Sequence, residues 1–321
     1  MTPSPHTVSA PAASLPANIP QYLEQLRRAL IGADPALIQD ALYDAEDYLR
    51  SELAENPGKS EAEVIAAVAS SYGAPEEVAD IYRDTEVKVQ TALKPPPPPK
   101  RASLIGQFFG VAADPRTYAS LFYMVFALAT GIFYFTWVVT GLSLSIGLSV
   151  LIVGIPFVIL FFGSIRLLSL VEGRLVEVML GERMPRRPLY ADRSKPLMAR
   201  IGEMFKDPRT WSSMLYMALM LPLGVFYFTL AVTALSVSLS FIAAPPMVWF
   251  GFAEMNADFD GWALFGMQDG VVGTSAGYWS LPLLFALGVA LLFATLHLAR
   301  GIGKVHGLFA KHLLVKSASG D

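Results

Sequence analysis

The sequence predicts an all-α protein: a small soluble helical bundle followed by a polytopic transmembrane helical domain that contains an internal duplication. Three observations predict it. Residues 114–145 (DPRTYASLFYMVFALATGIFYFTWVVTGLSLS) and 207–238 (DPRTWSSMLYMALMLPLGVFYFTLAVTALSVS) match without a gap at a constant offset of 93. Each copy places a polar, charged motif before more than twenty uncharged, mostly apolar residues, enough to cross the roughly 30 Å hydrocarbon core of a bilayer. Charge is unevenly divided, with 15 acidic against 5 basic residues in 1–87 and 12 against 19 in 88–321. An acidic head and a basic membrane body therefore read as separate domains.

Of the 321 residues, 54% are hydrophobic and only 16% charged, below the roughly 25% charged residues of a typical soluble domain. There is no cysteine, which excludes disulfides, zinc–thiolate sites and thiol catalysis. Residues 1–18 are rich in Pro, Ser and Ala and have neither a positive n-region nor an apolar h-region. They read as a disordered leader rather than a signal peptide, so the head is expected on the cytoplasmic side.

Four helices are expected in the head, residues 19–93. Ile19, Tyr22, Leu23, Leu26 and Leu30 share one helical face, and Gly32 ends the segment. Asp34-Pro35 supplies an N-cap and a first-turn proline for a second helix carrying Leu37, Ile38, Ala41, Ala45, Leu49 and Leu53. Ser60 and Glu63 form a capping box ahead of Val64, Ile65 and Val68, and Pro75-Glu76-Glu77 opens a last helix. The second helix also carries an acidic face, with Asp40, Asp44, Asp47 and Glu55 as candidate partner-binding residues. A metal site is one reading of such a face; a hydrated surface is the ordinary one. Net negative charge would keep the head off anionic lipid and free for a protein partner.

The run from YLEQLRRAL through DALYDAEDYLRSEL and KSEAEVIAAV to GAPEEVADIY resembles the HAAS domain, a small helical module of bacterial membrane signalling proteins. The element from Gly73 to Ala79 carries most of the similarity. In that family the module is often encoded beside PadR-like transcription regulators, which implies a signalling role and a protein partner.

Residues 94–113 form a Pro-rich linker and a membrane-proximal segment. Pro95 to Pro99, flanked by Lys94, Lys100 and Arg101, are expected to adopt polyproline II and act as a semi-rigid spacer.

The body divides into repeat 1 (114–206) and repeat 2 (207–316), with a short tail at 317–321. Spans are expected at about 119–139, 146–165, from about 213 onward, and at 281–298, with 140–145 as a tight hairpin. The repeat resumes where Arg166–Leu180 aligns with Arg300–Leu314 at an offset of 134, so copy two holds an insertion of 41 residues near 240–280. Segment 166–209 contains ten Lys or Arg, whereas 253–278 carries Glu254, Asp258, Asp260 and Asp269 and no basic residue. The positive-inside rule then favours four spans with both termini cytoplasmic and the insertion outside. Five spans remain the alternative, and residues 236–252, with Pro245-Pro246, could extend span three, lie in the interface or re-enter.

Phe133, Tyr134, Phe135, Trp137, Phe226, Tyr227 and Phe228 are expected in an aromatic belt. Segments 166–180 and 300–314 read as amphipathic interfacial helices. The motifs that open the repeats, Asp114-Pro115-Arg116 and Asp207-Pro208-Arg209, suit an N-cap with first-turn proline, their arginines anchoring at headgroups. No Asp, Glu, Lys or Arg occurs at 117–165 or 210–253, which counts against proton or ion pathways. Gly301-Ile302-Gly303-Lys304 lacks P-loop spacing, and His306 and His312 form no metalloprotease motif. No catalytic group, cofactor or metal is expected.

The DPRTW–LY–LPLG–YF–LAVTALSVSLS run and the segments after the second and last spans also resemble the sensor domain that precedes kinase modules in some bacterial two-component proteins. This chain shows no kinase-like segment, so a kinase activity does not carry over. The expectation is a non-enzymatic sensor and regulator of the bacterial cytoplasmic membrane. Its cue would be an envelope or lipid signal, met at an input loop containing Asp258, Asp260, Trp262 and Trp279. Its partners would be membrane lipids, a cytoplasmic protein such as a PadR-like regulator, and a second copy of itself, without direct nucleic-acid contact. A transport-associated component or a structural membrane organiser is the alternative.

Overall fold

The computed structural model describes residues 16–93, 103–151, 154–187, 202, 205–250, 257–259, 262–268, 271–273 and 280–315. Residues 1–15 of the leader, the polyproline run and the short tail lie outside the described residues. Two compact units form: residues 1–92 with 185–200 and 316–321, and residues 93–184 with 201–315.

In the first unit α1 (Ile19–Ala29), α2 (Pro35–Glu55), α3 (Glu61–Ser71) and α4 (Pro75–Leu93) follow one another. Each start is chemically marked. The Asn18 side chain accepts from Gln21 N, Asp34 accepts from Ala36 N, and Ser60 and Glu63 form the reciprocal capping box. Gly32 and Gly73 adopt φ of +86° and +120° at the α1 and α3 exits, where other residues would be strained. Tyr22, Leu26, Leu30, Leu37, Ala41, Leu49, Ile65, Val68 and Val78 make the core. Tyr22 lies within it, and its hydroxyl donates to Gly73 O at 2.8 Å, pinning α1 to the α3–α4 turn. The expected apolar faces are the ones buried, so the periodicity translates into packing directly.

The second unit begins with α5 (Leu104–Gly110) and a 3-10 turn, Val111–Ala113. Four long helices follow: α6 (Pro115–Leu148), α7 (Gly154–Leu180), α8 (Pro208–Trp249) and α9 (Ser280–Leu314). Among the described residues these four are long and apolar enough to cross a membrane. Several boundaries differ from the expectation. α6 continues through 140–145 to Leu148, because Ser143, Ser145 and Gly147 are tolerated in a helix; the α6–α7 connection therefore falls after it. Segments 166–180 and 300–314 are not separate interfacial helices but the last turns of α7 and α9. Residues 236–249 extend α8 past Pro245 and Pro246, giving a helix of 42 residues and roughly 63 Å at 1.5 Å per residue.

The insertion adds strands to this helical architecture. β1 (Ala257–Phe259), β2 (Trp262–Gln268) and β3 (Val271–Gly273) pair antiparallel in that order, with Asp258 opposite Ala263 and Met267 opposite Val272.

The helix pair α6–α8 is built around two copy-equivalent glycines. A β-carbon on Gly131 would stand 2.4 Å from Met220 O, and one on Gly224 would stand 2.3 Å from Ala127 O. Residues 127 and 220, like 131 and 224, are 93 apart. Small residues let helix backbones approach closely in this way, and the matching contacts mark a two-fold relation between the repeats. Two helices per copy return the chain to its starting side, so the relating axis runs along the helices.

Candidate functional site: a buried glutamate–histidine cluster between the repeats

The two opening motifs do what capping chemistry requires. Asp114 Oδ1 accepts from Arg116 N at 3.0 Å, and Asp207 Oδ1 accepts from Arg209 N at 3.1 Å. Their second oxygens cross between copies: Arg166 Nη2 meets Asp207 Oδ2, and Arg300 Nη2 meets Asp114 Oδ2, both at 3.1 Å. Copy-equivalent Tyr118 and Trp211 donate to Ala112 O and Phe205 O, both at 2.9 Å, so different side chains close the same turn. The arginines expected at headgroups lie against helix ends in the structure. Arg209 Nε and Nη2 donate to Leu314 O at 3.1 and 2.7 Å. Arg116 holds the equivalent place beside Gly181, where a β-carbon would lie 3.3 Å from its guanidinium carbon. Both cations thus sit at helix C-termini, where the carbonyl dipoles favour positive charge.

Deeper between the repeats lies a polar cluster. Glu172 on α7 is fully buried and His306 on α9 is 1% exposed. Tyr123 of α6 and Tyr216 of α8 each reach both groups. Tyr123 Oη lies 2.7 Å from Glu172 Oε1 and 2.7 Å from His306 Nε2; Tyr216 Oη lies 2.9 and 3.0 Å from the same two atoms. Each copy adds a second tyrosine to its own pole: Tyr134 donates to Glu172 Oε2 at 2.9 Å, and Tyr227 meets His306 Nδ1 at 3.2 Å. All six residues obey the repeat arithmetic, at offsets of 93 for the tyrosines and 134 for Glu172 and His306. The cluster is one site built twice, with a carboxylate in one copy and an imidazole in the other.

Its hydrogen-bond inventory fixes what it can do. Three hydroxyls converge on Glu172, the arrangement an acceptor-only carboxylate requires. The oxygens of Tyr123 and Tyr216 then accept from His306 Nε2–H. At Nδ1, Tyr227 donates to a bare nitrogen and accepts from a protonated one. Rotation of a single hydroxyl therefore accommodates a proton gained or lost at His306. With that proton in place, Glu172 and His306 form an ion pair bridged by two tyrosines. Ionisable side chains at such depth in apolar helices are expensive and mark functional elements. Among the described residues no group of His, Asp or Glu forms a metal site.

The predicted site residues are placed as follows. Asp40 is buried and Asp44 half-buried on α2, whereas Asp47 and Glu55 are exposed on the same helix. Asp44 Oδ2 accepts from the Tyr82 hydroxyl at 2.9 Å; burial first, and then this bond, pushes the tyrosine's pKa up. Asp258 and Trp262 fall on paired strands, while Asp260 and Trp279 lie outside the described residues. Tyr134 and Tyr227 leave the expected aromatic belt for the buried cluster, while Phe133, Trp137 and Phe226 stay exposed. Trp137 Nε1 donates to Ser164 Oγ at 2.8 Å, linking α6 to α7.

Sequence reasoning misses Glu172 and His306 because their segments, mixing apolar and charged residues, read as interfacial. The signal was present: aligning 166–180 with 300–314 pairs these two residues, and the ungapped repeat pairs the four tyrosines.

Comparison with known proteins agrees with both halves. The HAAS family matches residues 21–81, from within α1 through α2 and α3 into α4. The family described as "Putative sensor" matches residues 123–314, from the first tyrosine of the cluster to the end of α9. No curated protein and no solved structure matches the chain. With more than half of its length matched, this chain belongs to the Putative sensor family and carries a HAAS domain ahead of that region.

Proposed function

We propose that this multi-pass protein is a non-enzymatic sensor and regulator of a bacterial cytoplasmic membrane. Its transmembrane body receives an envelope or lipid cue, and the α1–α4 head hands the response to a cytoplasmic protein such as a PadR-like transcription regulator. The observation that carries this reading is the order of the two families along the chain, an interaction module followed by a sensor body. The buried cluster supplies what a sensor needs: an ionisable element shared by both repeats, whose hydrogen bonds would rearrange if the repeats moved against each other. The insertion with its small sheet, containing Asp258, Asp260 and Trp262 and followed by Trp279, is the proposed input surface.

The test is recovery of partners from cells by the full chain and by a variant lacking residues 19–93. Partners should be lost with the head; undiminished recovery would overturn the assignment of output. Buried Glu172 is the one observation that favours a transport role, and substrate or proton flux into vesicles reconstituted with the protein would establish that role instead.

A further inference from the structure

One face of α2 reads a single arginine at three points. Within the first unit, Asp40 Oδ1 accepts from two successive backbone groups, Arg186 N at 2.7 Å and Arg187 N at 2.8 Å. Gln39 Nε2 donates to Arg187 O at 2.7 Å. Arg187 Nε pairs with Asp44 Oδ1 at 3.0 Å, and its guanidinium lies 5.8 Å from the centre of the Tyr43 ring. Positions 39, 40, 43 and 44 form one stripe of a helix. Backbone N–H, backbone C=O and side chain of Arg187 are therefore all recognised, and the Tyr82 bond from α4 holds Asp44 in position for it. With residues 186 and 187 bonded to it, Asp40 is only 5% exposed.

We infer that Gln39, Asp40, Tyr43 and Asp44 form a receptor for an arginine-bearing segment of a protein partner, kept closed by the chain's own Arg187. The inference rests on the head being the output module. Arginine is specified over lysine, because a planar guanidinium can pair with a carboxylate while lying over an aromatic ring. The internal occupant is held in a displaceable way: the Arg187 side chain is 55% exposed and that of Asp44 32%, so solvent screens the pair. Its advantage is tethering, which supplies a high effective concentration without strong contacts. Arg187 lies seven residues beyond the last residue of α7, Leu180, so a cue that moves α7 has a short covalent route to the occupant. Asp47 and Glu55, on the remainder of the acidic face, touch no part of this arrangement and are left to steer a basic partner.

The experiment uses the full chain in lipid nanodiscs and a fluorescent peptide with the sequence of residues 182–190, ERMPRRPLY. Binding to the native chain should be weak, because the site is occupied. Arg187→Ala should bind the peptide at least about tenfold more tightly, since the tethered competitor keeps its backbone contacts to Asp40 and Gln39 but loses the side chain that pairs with Asp44. Adding Asp40→Asn or Asp44→Asn to that variant should abolish the gain, with circular dichroism verifying the α1–α4 fold. Equal binding by native and Arg187→Ala chains would overturn the proposal, and so would binding that survives both asparagine substitutions. A native dimer that Arg187→Ala dissolves would make the occupant a second copy and would likewise overturn it. Recovery of partners by the head with no effect of Arg187→Ala would sink this inference alone and leave the proposed function standing.

Discussion

Gly131 lies so close to Met220 that a β-carbon on it would stand 2.4 Å from the methionine's carbonyl oxygen. Gly224 makes the same approach to Ala127. Alanine at either position must push the repeats apart, and overpacking of this kind costs about 1–3 kcal/mol. Gly131→Ala and Gly224→Ala should lower the thermal midpoint in detergent by similar amounts. Gly163→Ala, where a β-carbon meets nothing within 4 Å, should not lower it.

The copy relation of Glu172 and His306 makes an unusual double variant informative. Glu172→Gln or His306→Gln leaves buried hydroxyls without a matched partner, and an unmatched buried hydrogen-bonding group costs about 1–3 kcal/mol. Exchanging the two, Glu172→His with His306→Glu, keeps Tyr123 and Tyr216 bridging the same poles. The exchanged protein should recover most of the thermal stability that either half of the exchange loses alone. An exchanged protein no more stable than the single variants would rule out a bridged pair.

The four tyrosines should not be equivalent. Tyr123 and Tyr216 each reach both poles, whereas Tyr134 reaches only Glu172 and Tyr227 only His306. A hydrogen bond to a charged group contributes about 1.5–3 kcal/mol. Unfolding of the phenylalanine variants should therefore rank Tyr123→Phe and Tyr216→Phe as the more damaging pair.

The capping box makes the start of α3 sensitive to acid. Hydrogen bonds from the Ser60 backbone and hydroxyl hold the exposed Glu63 carboxyl below its ordinary value of 4.5. A depressed pKa stabilises fully above the unfolded value, and the gain fades as pH falls through the folded one. Ser60→Ala should cost about 1 kcal/mol and weaken, without removing, that acid dependence, because the residue-60 backbone bond to Glu63 remains. Hydrogen exchange at α3 amides, compared with the native chain at each pH, reads both effects.

A chain with no cysteine can be mapped by adding single ones. In intact spheroplasts, Asp258→Cys should react with a membrane-impermeant maleimide and Asp47→Cys should not. The reverse pattern would invert the proposed orientation.

The long helices were legible because about twenty apolar residues without a charge admit few other structures in a bilayer. The head was legible through its caps at Asp34 and Ser60, both of which operate; the cap at Asn18 was not read. The strands were not expected, although Asp260-Gly261 and Asp269-Gly270 stand between paired residues and Asp-Gly is a strong hairpin signal; in the topology argument the same Asp residues enter only as charge. The cluster escaped for a different reason. Glu172 and His306 lie among arginines and lysines, and hydropathy averages over a helix face instead of asking which side is buried. Only pairing between copies distinguishes a solvated glutamate from one that three tyrosines hold.

That pairing bears on how the molecule came to be one polypeptide. Two identical first halves would bring two carboxylates together in a water-poor interior, and two identical second halves would bring two imidazoles. Neither self-association offers an acid opposite a base. The halves are complementary where they touch most deeply, one bringing an acid and the other a base to the same four tyrosines.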